Sequence, residues 1–168
     1  MLKPHAHMSK TEWLSQMKMV YYILYACIII LFGVIWFLNY DSLQQTGEPY
    51  KLFDPKETIG LVLQYGAILY TLLAIPGALY GFKRVCAKIA KIEDEDLKYD
   101  TYYAYANLRM TLVALAAGLP LIAYMLLGAY KPMIWLAAIG AVALVFTKPS
   151  AAKTEAELQP QDESNPDY

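Results

Sequence analysis

Acidic and basic side chains are concentrated in residues 81–100, which read GFKRVCAKIAKIEDEDLKYD. The four consecutive acids at residues 93–96 are the residue types that offer oxygen ligands to a cation. Calcium-binding loops, however, place acids at alternate positions and a glycine at the sharp turn, and this run has neither feature. The pattern therefore favours a solvent-exposed bend between two helices, with cation binding or protein docking as the alternative.

Four further residues are types that bind metals or act as nucleophiles. His5 and His7 form an H-x-H pair, but no third ligand follows at regular spacing, so we predict a mobile tail rather than a metal site. Cys27 and Cys86 belong to no C-x-x-C pair and are predicted to be two separate buried or interfacial residues. Both histidines lie outside the apolar segments, which excludes a haem held by two histidines.

The sequence contains none of the common catalytic motifs, such as a nucleophile elbow, an H-E-x-x-H pair or a phosphate-binding loop. No ionisable Asp, Glu, Lys, Arg or His lies within any of the four apolar segments, although such residues mark substrate and proton pathways in membranes. The most polar pair inside them is Gln64 and Tyr65, for which we predict an interhelical hydrogen bond, with a substrate contact as the alternative. We therefore predict a protein that is not an enzyme and that carries no cofactor and no metal.

Four long segments without charge must position these residues. They cover residues 19–38, 58–82, 110–130 and 133–147. A helix needs about 20 apolar residues to cross a bilayer, so the first three are long enough. The fourth has 15 residues and crosses if Lys131 and Lys148 extend their ammonium groups outward at its two ends. Backbone groups in lipid must be satisfied within the segment, so the sequence predicts an all-α integral membrane protein.

Small residues recur in the second, third and fourth segments, where they let helix backbones approach closely in lipid. The short link at residues 129–132 predicts an antiparallel hairpin. We therefore predict a four-helix bundle over residues 19–147. Residues 1–18 are predicted to form a cytoplasmic segment with the start of an interfacial helix, marked by a capping box at Ser9 and Glu12. Residues 148–168 are polar and acidic and are predicted to form a disordered tail.

The distribution of lysine and arginine predicts the orientation in the membrane. Eleven of them lie before the first segment, between the second and third, or after the fourth, whereas three lie on the other side. The positive-inside rule then places both termini in the cytoplasm. Residues 83–109 become a cytoplasmic elbow, in which bases meet the end of one helix and acids meet the start of the next. The cluster of Lys83, Arg84, Lys88 and Lys91 is predicted to be a topology signal or a contact with anionic lipid headgroups.

Function is constrained mainly by what the sequence lacks. The net charge of −1 gives no signal for nucleic-acid binding. We predict an accessory, scaffold or assembly component of a membrane complex, located in a bacterial inner membrane. Its predicted partners are the lipid bilayer and other membrane proteins or a second copy of itself. The alternative is a small transporter or channel that acts as an oligomer, for which Gln64, Tyr65 and the prolines within the second and third segments are the motivating residues.

Overall fold

The computed structural model describes residues 10–158, and regular structure in this range is helical. A π-helical turn over Gly77–Gly81 joins the second and third helices. The helices are α1 Lys10–Thr46, α2 Thr58–Pro76, α3 Phe82–Ile89, α4 Glu95–Leu126, α5 Lys131–Phe146 and α6 Ala151–Leu158. The predicted capping box at Ser9 and the histidine pair lie wholly or partly outside the described residues.

Three helical stretches are long and apolar enough to cross a membrane, namely Lys10–Thr46, Thr58–Ile89 and Glu95–Leu126. Helix α5 has 16 residues, which corresponds to about 24 Å at 1.5 Å per residue. It becomes a fourth candidate only together with α6, and the two helices are bent by 79° relative to each other. The described part of the chain is therefore all-helical, with three to four helices compatible with a membrane.

Helix α4 is the centre of the packing, because α1, α2 and α5 all have their main helix contacts with it. Half of the apolar window of α4 is buried within the protein, compared with 11% for α1 and 17% for the stretch that contains α2. The side of α1 that meets α4 carries residues at spacings of three and four, as expected for one face of a helix. These residues are Tyr21, Leu24, Ile28, Leu31 and Ile35.

Close helix contact depends on small residues, as the sequence indicated. Gly140 on α5 lies directly against the α4 backbone, since a Cβ atom at this position would approach the backbone of Ala116 and Ala117 to 2.6 Å. On the neighbouring side of α4, the Thr71 hydroxyl donates to the Ala116 carbonyl at 3.3 Å. One turn of α4 is thus contacted from two sides by α2 and α5.

The acidic run at residues 93–96 lies at the start of a helix. The Asp94 side chain accepts hydrogen bonds from the backbone amides of Asp96 at 3.0 Å and Leu97 at 3.3 Å, which is the geometry of a helix N-cap. Glu95 and Asp96 occupy the first turn of α4, where the helix dipole favours negative charge. The interpretation as a bend between two helices is confirmed, but the connection itself spans only residues 90–94, because α3 and α4 occupy the rest of the predicted elbow.

The prediction of a disordered tail is wrong for residues 151–158, which form α6. Its start is capped by Ser150, whose hydroxyl accepts from the Lys153 amide at 3.3 Å. Thr154 and Leu158 lie one turn apart and are both buried. The acidic composition concealed this short amphipathic helix, whose apolar side is covered by other helices. Residues 159–168 lie outside the described part of the chain.

Candidate functional site: a buried arginine beside an open cavity

Four helices meet at the end of the molecule that carries α3, the start of α4 and α6, which we call the basic end. The start of α1 also packs here, so the first and last described helices lie side by side. The shared core consists of Met17, Phe82, Cys86, Ile89, Tyr102, Ala106 and Leu158. This apolar core surrounds a small group of polar residues.

Arg109 of α4 and Glu157 of α6 form an ion pair within this end. The Nη1 atom donates to Oε1 at 3.3 Å, and the two side chains are 6% and 21% exposed. The guanidinium carbon also lies 3.8 Å from the centre of the Phe82 ring. Arginine suits such a position because its planar group can stack on an aromatic ring and bond a carboxylate at the same time.

The second carboxylate oxygen of Glu157 is also occupied. The Tyr102 hydroxyl donates to Oε2 at 2.6 Å, and the Thr154 hydroxyl oxygen lies 3.5 Å from the same phenol. Tyr102 and Arg109 are seven residues apart, two turns of α4, and therefore reach the carboxylate from one face of the helix. This arrangement fixes α6 to α4 at two points.

Not all hydrogen-bond donors of Arg109 have a partner among the described residues. Its Nε atom is buried, and no hydrogen-bond partner is found for it within residues 10–158. A buried donor without a partner costs about 1–3 kcal/mol, and more when the group is charged. The Nε donor of Arg109 is therefore unsatisfied within the described part of the chain.

A cavity of about 550 Å³ opens beside the ion pair. Its charged lining residues are Lys83, Arg109, Lys153 and Glu157, which gives three positive groups and one negative group. Its apolar walls come from the π-helical turn, from α3 and from the end of α5. The lining consists of Leu79, Tyr80, Phe82, Lys83, Cys86, Ala87, Arg109, Phe146, Lys153, Ala156 and Glu157.

Lys153 contributes to both the fold and the cavity. Its Nζ atom donates to the carbonyl of Phe146 at 2.6 Å, which satisfies a free carbonyl at the C-terminal end of α5. Burial lowers the pKa of this ammonium group, the nearby Arg109 charge lowers it further, and Glu157 opposes the shift. A further anion near Lys153 would oppose this shift, because an opposite charge favours the protonated form of a lysine.

The four bases singled out in the sequence are solvent-exposed around α3 and the turn after it. Phe82, Cys86 and Ile89 form the buried side of the same helix, which explains why the bases at positions 83, 84 and 88 face outward. Of the four, Lys83 lines the cavity, and the other three are absent from its lining. One base of the cluster therefore belongs to the cavity, and the other three lie on the open surface.

Gln64 and Tyr65 do not form the interhelical contact that we predicted for them. The Gln64 amide donates to the carbonyl of Pro55 at 2.7 Å, a contact with the loop that precedes its own helix. Tyr65 is 67% exposed, on the outside of α2. The sequence could not distinguish these outcomes because both residues lie in one apolar segment without a visible partner.

Sequence reasoning also missed the two residues at the centre of the site. Arg109 was assigned to a connecting elbow, and Glu157 to a disordered tail. The available signal was the stretch SAAKTEAEL, which begins with an N-cap residue and continues with strong helix formers. A helix-start signal so soon after the fourth apolar segment indicates a separate helix, which turns back instead of continuing that segment.

Comparison of the chain with protein-family models, with curated proteins and with solved structures finds no match in any of the three.

Proposed function

We propose that this chain is a non-catalytic, multi-pass membrane protein that serves as an accessory or assembly component of a membrane complex. In this proposal α1, α2, α4 and α5 cross a bacterial inner membrane as a four-helix bundle, and the basic end lies in the cytoplasm. Eleven lysines and arginines against three support that orientation. The start of α1 and α6 pack in one core, which agrees with an even number of crossings.

The main support for the proposal is that the Glu157 carboxylate at the basic end is fully engaged in contacts between helices. Both oxygens of Glu157 are engaged, by Arg109 at 3.3 Å and by Tyr102 at 2.6 Å. A general acid or base needs a free position facing a substrate, whereas this carboxylate joins two helices. The result is a fixed helical unit at the membrane surface, as expected of a docking component.

The contact with a partner is expected on the uncovered face of α1. Cys27, Ile30, Val34 and Phe37 follow one another at spacings of three and four, and all four are exposed. They lie on a face that is rotated by about 120° from the stripe that meets α4. We propose that this face packs against a transmembrane helix of another membrane protein.

Photo-crosslinking in the native membrane tests this proposal. A photoreactive amino acid at Ile30, which is 64% exposed, is expected to capture a second membrane protein that mass spectrometry identifies. The matched control is the same group at Ile28, which is partly buried in the internal packing and should crosslink within the chain. A chain that purifies alone in mild detergent and gives no intermolecular product from position 30 would contradict the proposal.

A small transporter or channel is the second candidate, and the π-helical turn favours it. The turn follows Pro76 directly, and such distortions are frequent at functional sites. A Cβ atom at Gly77 or Gly81 would meet nothing within 4 Å, so replacing both with alanine stiffens the turn without a clash. If transport depends on this turn, flux of amphiphilic anions into reconstituted liposomes should fall in the double variant. Absence of flux from wild-type liposomes excludes this candidate for the compounds tested. If photo-crosslinking at position 30 captures only a second copy of the chain, the result favours a transporter or channel that acts as an oligomer.

A further inference from the structure

We propose that the cavity at the basic end binds the phosphate group of an anionic membrane lipid. This inference goes beyond a role in assembly, and it rests on the proposed placement of the basic end at the membrane surface. Three observations support it, namely the charge of the lining, the unsatisfied arginine and the position of the opening.

The charge of the lining selects an anion. Lys83, Arg109 and Lys153 face a single carboxylate, Glu157, so the cavity has two positive charges in excess. Lys153 is partly buried and lies near the positive charge of Arg109, and both effects lower its pKa. An anion in the cavity would relieve both effects, because an opposite charge favours the protonated form of a lysine.

Arg109 supplies a specific hydrogen-bonding group. The Arg109 side chain is only 6% exposed. It contributes to the lining of the cavity, and its Nε atom has no hydrogen-bond partner among the described residues. The planar guanidinium group presents donors in a fork that matches the oxygens of a phosphate. A phosphate oxygen in the cavity would accept from the part of the guanidinium group that borders it.

The walls indicate a ligand that is partly apolar. Tyr80 and Phe146 border the cavity and are 73% and 66% exposed, so the cavity has aromatic side chains at its rim. Leu79 adds a further apolar surface. A free phosphate ion would gain nothing from these groups, whereas the glycerol backbone and first acyl carbons of a lipid would pack against them.

The position of the cavity along the membrane normal corresponds to the region of the lipid headgroups. Arg109 immediately precedes the charge-free segment that starts at Met110, and Lys148 follows the last apolar segment at the same end. Charged residues that flank an apolar segment lie at the level of the lipid phosphates. The volume of about 550 Å³ lies within the range of about 300–1,000 Å³ that is usual for ligand pockets.

The test compares two double variants of the full chain. Lys83→Gln with Lys153→Gln removes two cavity cations, and Arg84→Gln with Lys88→Gln removes two exposed cations of the same cluster that do not line the cavity. Native mass spectrometry in detergent would measure binding of phosphatidylglycerol, with phosphatidylcholine as a lipid of similar size and no net charge. We expect the cavity variant to bind phosphatidylglycerol at least about tenfold more weakly, since the loss of even one direct charge-assisted hydrogen bond to the phosphate accounts for about tenfold. We expect a change below about threefold in the control variant.

An equal loss in both variants, or no loss in either, would overturn the proposal. Lys153→Gln also removes the hydrogen bond to Phe146, so the unfolding temperature is measured in parallel. If that variant unfolds, Lys83→Glu alone provides the measurement, with Arg84→Glu as its control. Soluble glycerol phosphate separates the two sources of phosphate. Stabilisation by glycerol phosphate that depends on Lys83, without binding of phosphatidylglycerol, would overturn the assignment to a lipid.

Discussion

Arg109 and Glu157 lie 48 positions apart in the sequence and form an ion pair with an N–O distance of 3.3 Å. The pair joins the middle of the central helix to the last described helix. It is enclosed by Phe82 on one side, with the ring centre 3.8 Å from the guanidinium carbon. The basic end is therefore held together in part by a contact between distant parts of the chain.

Removing one partner of this pair should destabilise the protein strongly. In Glu157→Leu the arginine remains buried without its counterion, and we expect the free energy of unfolding to fall by about 3 kcal/mol. Arg109→Met with Glu157→Leu removes both charges, and it should recover a large part of the loss because no charge stays buried alone. Unfolding by a denaturing detergent, followed by circular dichroism, measures these changes.

Glu155 provides the control for this prediction. It lies on the same helix as Glu157 but is exposed, so Glu155→Leu should change the free energy of unfolding by less than about 0.5 kcal/mol. Equal effects at positions 155 and 157 would show that the ion pair contributes little to the attachment of α6.

Gly140 should not tolerate even a methyl group. The Cβ atom of Gly140→Ala would lie 2.6 Å from the α4 backbone, so α5 must move away, at a cost of about 1–3 kcal/mol. Gly66→Ala is the matched control, because a Cβ atom there meets nothing within 4 Å and alanine is the better helix former. Thermal unfolding should separate the two variants, and similar melting temperatures would argue against close contact between α4 and α5.

The ammonium group of Lys153 should titrate below the ordinary pKa of 10.5, because it is buried and lies near Arg109. Arg109→Gln should raise this pKa, and Glu157→Gln should lower it further. Carbon NMR of reductively methylated protein resolves these shifts. The unfolded chain binds more protons between the two pKa values, so this group makes the free energy of unfolding rise with pH up to 10.5. A Lys153 pKa that is unchanged by Arg109→Gln would contradict the proximity of the two cations.

The proposed orientation can be tested with cysteines at Gln44 and Glu155, both exposed, after Cys27 and Cys86 have been replaced. An impermeant thiol reagent should label position 44 but not position 155 in intact cells. Replacing Lys83, Arg84, Lys88 and Lys91 with Gln should mix this pattern, because positive charges near a span set its orientation. Replacing the four acids at 93–96 with Gln should leave it unchanged. Labelling at position 155 alone would mean that the basic end faces outward.

The parts of the fold that sequence predicted are those encoded within a few residues. Charge-free stretches indicated the apolar helices, and the Asp94 cap follows from the acids that begin α4. The small residues of the fourth segment favoured close packing, and Gly140 is one that packs against α4, whereas a Cβ atom at Gly66 of the second segment would meet nothing within 4 Å. Each of these features is a local pattern with a local physical cause.

The site itself could not be predicted in the same way. An arginine just outside an apolar segment is normally counted as a topology signal, so the burial of Arg109 is visible only when α6 is in place. Glu157 lies in a stretch whose charge predicts disorder, and its docking depends on Tyr102 and Arg109, 55 and 48 positions away. Contacts at such separations are determined by tertiary packing, which a single sequence does not reveal.

The position of Glu157 on the last described helix also sets an order of events during synthesis. Arg109 leaves the ribosome 48 residues before Glu157, a delay of roughly 2–10 s at about 5–20 residues per second. During that interval the arginine has no carboxylate, and the hydrophobic residues that α6 later covers are open to chaperones and proteases. Synthesis of α6 therefore supplies the last helix of the core at the basic end that the structure describes.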